Sequence, residues 1–154
     1  MLLTELLTPE RIRIPLDGQT NDDLLLELVD GVADAAGVTD RDDVLRAVRE
    51  REAVLSTGIG HGVAIPHGKS AALNELRMAA GRAAGPVDFD ALDGEPVSLF
   101  FLLVGPESAA GPHIKALSRI SRLVRKDEVR QRLIEARSAE EFLAALREAE
   151  AAAA

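Results

Sequence analysis

The sequence contains no cysteine, tryptophan or tyrosine, and aromatic residues make up only 3% of its 154 positions. The absence of cysteine excludes disulfide bonds, thiolate zinc sites and cysteine nucleophiles. The scarcity of aromatic residues argues against a surface that stacks nucleic-acid bases. Basic residues are outnumbered 26 to 18, and the net charge of -8 would repel nucleic-acid phosphates and anionic lipids. We therefore expect no binding of nucleic acid and no membrane-surface role.

The sequence also lacks the run of about 20 apolar residues that a membrane-spanning helix requires. Its first residues have no basic flank of the kind that begins a secretory signal, so we expect a cytoplasmic protein without membrane insertion. An apolar fraction of 47% is sufficient for one hydrophobic core. These features predict a single domain over residues 1–150, followed by an alanine-rich tail at residues 151–154 that frays.

Hydrophobic residues at helical spacing predict helices at both ends of the chain. Five helices are predicted: Asp22–Ala36 before Gly37, a segment from the capping pair Thr39 and Asp42 to about Ser56, a segment with Pro112 in its first turn, Asp127–Ala136, and a segment capped by Ser138 and Glu141. The strands are expected between these two groups of helices.

Three segments in the middle of the chain predict strands: Val63–Ile65, Leu76–Ala84 and Val97–Val104. The last segment is almost entirely apolar, which is typical of a strand covered on both faces, so it is the predicted central strand. The glycine-rich segment Ser56–Gly62 predicts a sharp, exposed loop. The fold class that follows is α/β, with a small mixed β-sheet flanked by helices on both faces.

His67 is the first candidate for chemistry near neutral pH. It follows a predicted short strand and Pro66, so its ring should emerge at a strand end. A neutral imidazole keeps a lone pair that can attack phosphorus or bind a metal. For a single histidine, a structural role is an equally good interpretation.

Two other side chains could form a phosphoryl-binding site with His67. Arg51 lies on the inward stripe of the second helix, where its guanidinium could offer paired donors to phosphoryl oxygens. An ion pair with Glu52 or Asp88 is the alternative. His113 lies in the first turn of the third helix, where it could donate a hydrogen bond to a phosphate near the helix N-terminus. Its alternative interpretation is a capped, half-buried histidine.

Other kinds of site have less support in the sequence. The three histidines lack the spacing of zinc ligands, and Ser56 lacks the GxSxG pattern of serine hydrolases. His61 has no periodic partner and is interpreted as a solvated loop residue. We expect no metal and no bound cofactor.

Three parts of the sequence together resemble one known family. They are REREAVLSTGIGHGVAIPHGK from Arg49 to Lys69, VDFDALDGEPVSLFFLLVGPE from Val87 to Glu107, and His113. They resemble the type 2 IIA domains of the bacterial phosphotransferase system, which include the fructose and mannitol IIA domains and the nitrogen-regulatory IIA protein. The resemblance extends over nearly the whole chain, including the LLTPERI opening, and implies the mannitol-type IIA fold.

This resemblance also implies roles for individual residues. His67 matches the histidine that accepts a phosphoryl group from the phosphohistidine of the carrier protein HPr or its nitrogen-branch counterpart. Arg51 and His113 match positions that stabilise the phosphoryl group, and Ser56 and Thr57 match the STG segment as possible phosphoryl ligands. The resemblance therefore implies a phosphotransferase that passes on a phosphohistidine group without a cofactor.

Three functions remain open on this basis. A nitrogen-regulatory IIA protein, which controls target proteins through its phosphorylation state, is favoured. A stand-alone fructose- or mannitol-type IIA component would pass the group to a IIB domain on a separate chain, because this chain has no acceptor cysteine. A binding module that shares the fold but is never phosphorylated is the alternative of another class.

Overall fold

The computed structural model describes residues 2–33 and 38–153, which form a mixed sheet covered by helices. The strands are β1 (Ile12–Leu16), β2 (Gly58–Gly60), β3 (Val63–Ala64), β4 (His67–Lys69), β5 (Arg77–Val87) and β6 (Val97–Gly105). The helices are α1 (Asn21–Ala33), α2 (Arg41–Val54), α3 (Ala110–Leu123), α4 (Asp127–Glu135) and α5 (Ala139–Ala153). Short 3-10 turns cover Leu3–Glu5, Pro9–Arg11 and Glu107–Ala109.

Strand β6 lies in the middle of the sheet, whose order is β1-β5-β6-β3-β2. On one side β6 pairs antiparallel with β5, and on the other side it pairs in parallel with both β3 and β4. Ala64 lies opposite Phe100 and His67 lies opposite Leu103, so β3 and β4 keep the same register along β6. The two strands are therefore two pieces of one interrupted strand. The predicted central strand is confirmed and extends to Gly105.

The side chains of β6 alternate between two hydrophobic cores. Leu99 and Leu103 pack in the core that includes residues of α3, α4 and α5. Phe100 and Val104 pack in the core that includes residues of α1 and α2. Because both faces are covered, the central strand is apolar at almost every position. Helices on both faces of a mixed sheet confirm the predicted fold class.

Strand β1 is an element that the sequence analysis does not predict. Only its end residues, Ile12 and Leu16, are buried, and Pro15 lies between them. A proline cannot donate a hydrogen bond to a neighbouring strand, so it weakens the pattern of a strand. It is tolerated here because β1 lies at the edge of the sheet, where it pairs in parallel with β5.

The prediction of an exposed loop over Ser56–Gly62 is wrong in part. Gly58–Gly60 forms β2, which pairs antiparallel with β3, and Thr57 is buried. Residues 60–62 have φ angles of 94°, 57° and 77° and make the turn between the two strands. Gly60 and Gly62 adopt such left-handed angles without steric cost, so the two glycines on either side of His61 allow a tight hairpin in place of a loop.

The ends of α1 and α2 differ in detail from the prediction. The predicted first helix beyond Ala33, with its stop at Gly37, lies outside the described residues. The predicted cap of α2 by Thr39 is wrong: the carboxylate of Asp40 accepts the backbone N–H of Asp43 at 3.2 Å. Asp40 is the residue that directly precedes the helix, where a carboxylate can reach the first free N–H groups.

The C-terminal helices largely follow the prediction. α3 begins two residues before Pro112, and α4 covers all but the last residue of Asp127–Ala136. The Oγ of Ser138 accepts the backbone N–H of Glu141 at 3.1 Å, which confirms the predicted N-cap. α5 then continues through Ala153, so the described residues of the alanine-rich tail are helical.

A buried carboxylate joins the beginning of the described chain to its last helix. Glu150 on α5 is only 2% exposed. It accepts the backbone N–H groups of Leu3 at 2.7 Å and of Thr4 at 3.0 Å, and also the Thr4 hydroxyl. The guanidinium of Arg119 lies 3.6 Å away and offsets the buried charge. Glu150 thus supplies the acceptor that the first N–H groups of a short helical turn need.

The substitution Glu150→Ala should lower the free energy of unfolding by about 3 kcal/mol, because backbone N–H groups lose a charged acceptor inside the protein. Urea denaturation measures this difference. Glu148→Ala on the same helix is the control. The exposed Glu148 carboxylate pairs with Arg132 at the surface, so its removal should change the free energy of unfolding little. Equal midpoints for the two variants would contradict this role of Glu150.

Candidate functional site

The register of β4 determines the face of the sheet from which His67 projects. His67 lies beside Leu103, which packs in the core on the α3 side. Gly68 faces the other way, because a Cβ atom at this glycine would lie 3.0 Å from the backbone nitrogen of Val48 in α2. Alternate residues of a strand share a face. His67 and Lys69 therefore both project toward α3.

The predicted position of His67 just beyond a strand end requires a correction. His67 is the first residue of β4, and the interruption of the strand lies before it, at Ile65 and Pro66. Proline has no N–H group to donate, which explains why the regular pairing stops there and resumes at His67. The side chain is half-buried, so the ring is fixed by its surroundings and still reaches the surface.

The imidazole of His67 is oriented by the backbone. Its Nδ1 atom lies 2.9 Å from the carbonyl oxygen of Ile65. A carbonyl oxygen can only accept a hydrogen bond, so Nδ1 carries the proton in this arrangement. The lone pair of the neutral ring is then on Nε2. The nucleophilic atom is therefore the ring nitrogen that points away from this hydrogen bond.

His113 lies next to His67, as the predicted site requires. The centroids of the two rings are 5.5 Å apart, and the ring planes are inclined by 69°. His113 is in the first turn of α3 and is only 5% exposed. Burial, followed by the influence of His67, lowers the pKa of His113 to about 4. At neutral pH the ring is therefore uncharged and can donate one hydrogen bond.

The pKa of His67 is also lowered from its ordinary value of 6.5. Burial is the largest cause, and the positive charges of Arg51 and Lys69 act in the same direction. The hydrogen bond to Ile65 and the charge of Glu52 oppose this shift. The balance keeps the imidazole neutral and nucleophilic at physiological pH.

Arg51 lies at the end of α2, near enough to His67 for its charge to act on the imidazole. It lies in the last turn of α2 and is half-buried, so the predicted inward position is correct only in part. Its Nη1 donates a hydrogen bond to the carbonyl oxygen of Leu55 at 2.7 Å. Among the described residues, this bond takes the place of the ion pair with Glu52 or Asp88 that the sequence left open. The guanidinium retains further donors for a phosphoryl group.

The hydroxyl groups of Ser56 and Thr57 are engaged within the protein. The Ser56 hydroxyl donates to the carbonyl oxygen of Phe89 at 2.8 Å. The Thr57 hydroxyl donates to the carboxylate of Glu52. A hydroxyl group has one proton to donate, so neither can donate to a phosphoryl oxygen while these bonds persist. His61 lies exposed at the turn of the hairpin, away from these contacts.

The sequence analysis misses two residues of this region, Lys69 and Glu52. Lys69 shares a face of β4 with His67, and its ammonium group pairs with Glu107 at 3.6 Å. Residues two apart in a strand share a face, so Lys69 is indicated as a neighbour of His67 only if His67 is placed in a strand. For Glu52, the sequence suggests only an ion pair with Arg51. Its bond to Thr57 crosses a helix end, and no periodic pattern predicts such a contact.

The described residues offer neither a metal site nor a membrane-spanning helix. They contain no group of three or more histidine and acidic side chains that could hold a metal ion. No helix among them is both long enough and apolar enough to cross a bilayer.

Comparison with known proteins shows the family to which this chain is similar. The model of the family described as "Phosphoenolpyruvate-dependent sugar phosphotransferase system, EIIA 2" matches residues 5–149. The nitrogen regulatory protein of Bradyrhizobium diazoefficiens is 38% identical over 146 residues, which are 95% of this chain and 95% of that protein. The fructose-specific EIIABC component of Bacillus subtilis is also 38% identical, over 138 residues that cover 90% of this chain. The chain spans only 22% of that longer protein.

Solved structures agree with this assignment. The crystal structure of nitrogen regulatory protein IIA-Ntr from Neisseria meningitidis superimposes with a TM-score of 0.87 at 35% identity, covering 94% of this chain and 98% of that one. Mannitol IIA from Escherichia coli has a TM-score of 0.77 at 19% identity over 91% of this chain and 98% of that one, and so shares the fold. The chain belongs to the type 2 EIIA family of the phosphoenolpyruvate-dependent sugar phosphotransferase system.

Proposed function

We propose that the chain is a phosphocarrier that accepts a phosphoryl group on Nε2 of His67 from the phosphohistidine of HPr or its nitrogen-branch counterpart. The observation that carries this proposal is the orientation of the His67 ring. Its Nδ1–H is bound to the Ile65 carbonyl, Nε2 is left as the nucleophile, and His113 lies beside it. The family membership supports the same chemistry.

The transfer requires little covalent participation by the protein. The Nε2 lone pair attacks phosphorus as the bond between phosphorus and the donor imidazole breaks. The donor ring, protonated on its other nitrogen, takes the electron pair of that bond and leaves as a neutral imidazole. The proton on Nδ1 of His67 stays on the ring, directed at Ile65. Arg51 and the neutral His113 can donate hydrogen bonds to the phosphoryl oxygens, whose charge must be stabilised throughout an in-line transfer.

A nitrogen-regulatory role is favoured over sugar uptake. The relative from Bradyrhizobium matches almost end to end, and the structure from Neisseria is also a nitrogen regulatory protein. A fructose-type role is the second candidate, because the fructose-specific EIIA component of Haloferax volcanii is 40% identical over 72% of this chain. In that case the group would pass to a IIB domain. In the favoured case the phosphorylation state would control target proteins.

The donor needs a docking surface next to His67. Four large apolar side chains are exposed on segments linked to the site. Leu55 follows α2 and its carbonyl oxygen accepts the hydrogen bond from Arg51, and Ile59 lies in β2, which pairs with β3. Leu92 lies between β5 and β6, and Ile114 directly follows His113 in α3. The backbone N–H of Leu92 donates to the carbonyl oxygen of Gly58 at 3.4 Å, so Leu92 lies next to the hairpin that carries Ile59. We refer to these four residues as the apolar patch. Exposed apolar side chains near a reactive residue in the chain or the sheet suit a protein partner.

Incubation of the protein with enzyme I, an HPr-type carrier and phosphoenolpyruvate should add one acid-labile phosphoryl group. His67→Ala should abolish the label because it removes the nucleophile. His113→Ala should slow labelling and still leave the group on His67. Intact mass before and after acid treatment measures both effects. A wild-type protein without an acid-labile adduct would contradict the proposal and favour the unphosphorylated binding module.

The rate of phosphoryl acceptance should depend on pH through His67. The neutral ring is the nucleophile, so the rate should fall as pH drops, with an apparent pKa below 6.5. Arg51→Gln should raise this apparent pKa, because a positive charge that disfavours the imidazolium is lost. The plateau rate of that variant should fall about 10- to 100-fold as phosphoryl stabilisation is lost. Rapid-quench assays with one donor compare the two proteins, and an unchanged or lower apparent pKa in the variant would count against this account.

A charge placed in the apolar patch should weaken the encounter with the donor. Ile59→Asp and Ile114→Asp should each raise the KM for the phosphorylated carrier about tenfold, because an apolar contact is replaced by a group that must be desolvated. Ile134→Asp is the control, since Ile134 is similarly exposed on α4, outside the patch. Steady-state transfer assays measure the change. An Ile134→Asp defect as large as the others would argue against the patch.

A further inference from the structure

The connection between α2 and β2 is held by a side chain of α2. Glu52 lies in the last turn of that helix, and its carboxylate accepts the backbone N–H of Thr57 at 3.0 Å. The same carboxylate accepts the Thr57 hydroxyl. Thr57 is only 5% exposed, so both donors need a partner inside the protein. The two bonds fix the position of Thr57 relative to α2.

Thr57 in turn fixes the residue that orients the catalytic ring. The backbone N–H of Ile65 donates to the carbonyl oxygen of Thr57 at 3.0 Å. The carbonyl oxygen of Ile65 accepts Nδ1–H of His67 at 2.9 Å. Ile65 is 2% exposed, so water does not compete for these groups. A continuous series of contacts therefore leads from the Glu52 carboxylate to the imidazole.

We propose that Glu52 is a positioning residue for the phosphoryl acceptor: by holding Thr57, and through it Ile65, it keeps Nδ1–H of His67 directed at the backbone and Nε2 directed outward. The proposal rests on the proposed function for its kinetic consequence alone. It assigns the STG segment a structural role, because the hydroxyl groups of that segment hold the hairpin and have no proton left for a phosphoryl oxygen.

The contacts of Ser56 support this role for the segment. Its Oγ accepts the backbone N–H of Gly58 at 3.1 Å while donating to Phe89. A Cβ atom at Gly58 would lie 2.7 Å from the Cβ of Ala91, so the hairpin and the segment that contains Phe89 are closely packed. Ser56 and Thr57 thus anchor the same short connection on two sides. A connection held in this way gives the Ile65 carbonyl a fixed position.

Glu52 could also act on His67 through its charge alone, since a nearby carboxylate favours the imidazolium. Two substitutions separate charge from position. Glu52→Gln removes the charge, and its amide can still accept the Thr57 N–H and donate to the Thr57 hydroxyl oxygen. Glu52→Ala removes both the charge and the contact. Glu50→Ala is the matched control, because Glu50 lies on the same helix and pairs with Arg46 at the surface.

The first readout is the tautomer of His67 in the unphosphorylated protein at neutral pH. Two-bond correlations between ring protons and ring nitrogens in an NMR spectrum of the nitrogen-15-labelled protein report which nitrogen carries the proton. Wild type, Glu52→Gln and Glu50→Ala should all show the proton on Nδ1. Glu52→Ala should show a mixture of the two tautomers, because the Ile65 carbonyl is no longer held in place. A substitution that damages the structure elsewhere, without moving the Ile65 carbonyl, would leave the His67 tautomer unchanged.

The second readout is the rate of phosphoryl transfer from an HPr-type carrier. Glu52→Ala should lower kcat about 10- to 100-fold, the loss expected when a reacting group is misplaced by about 1 Å. Its KM should change little, because the apolar patch is intact. Glu52→Gln should stay within about threefold of wild type. Thr57→Val removes the hydroxyl and keeps the N–H, so its kcat should lie between those of Glu52→Gln and Glu52→Ala. This variant replaces Glu52→Ala in the comparison if Glu52→Ala fails to fold.

The two readouts give distinct outcomes. Tautomer mixing and slow transfer in Glu52→Ala, with recovery in Glu52→Gln, would support the positioning role. A wild-type tautomer in Glu52→Ala, or a Glu52→Gln defect as large as that of Glu52→Ala, would overturn it. If the wild-type protein accepts no phosphoryl group at all, the proposed function fails, and the tautomer comparison still decides the role of Glu52.

Discussion

The hydrogen bond from Nδ1 of His67 to the Ile65 carbonyl is the contact on which the site depends. It makes one ring nitrogen a donor and leaves the other as the only nucleophile of the ring. The geometry of this bond follows from the sheet, because Ile65 belongs to the interruption between β3 and β4. At this position its carbonyl group can accept the Nδ1–H of His67. A small break in regular pairing thus supplies the constraint that the chemistry requires.

Helices from both faces of the sheet contribute side chains to the site. Arg51 comes from the end of α2 on one face, and His113 comes from the first turn of α3 on the other face. Each contributes a different property. The guanidinium brings a permanent positive charge and several donors. The buried His113 ring, with a pKa of about 4, stays neutral and offers one donor without repelling the His67 ring.

Much of this arrangement could be predicted from the sequence, because buried faces of helices and strands require hydrophobic residues at regular spacing. The apolar run of β6 and the helical spacing of hydrophobic residues in α3 both indicate their elements. Single contacts between side chains and backbone produce no such spacing in the sequence. The cap by Asp40, the Glu52–Thr57 contact and the strand β1 with its proline all depend on neighbours distant in sequence or on edge position. The glycines of residues 56–62 predict a sharp, exposed loop, and only the pairing with β3 shows that this segment is a hairpin.

The central claim is that Nε2 of His67 carries the phosphoryl group. The most direct measurement is a phosphorus–nitrogen NMR correlation on the phosphorylated, nitrogen-15-labelled protein, which identifies the nitrogen bonded to phosphorus. The account predicts coupling to Nε2 of His67, with Nδ1 still protonated. Coupling to Nδ1 of His67, or to a nitrogen of His61 or His113, would contradict it.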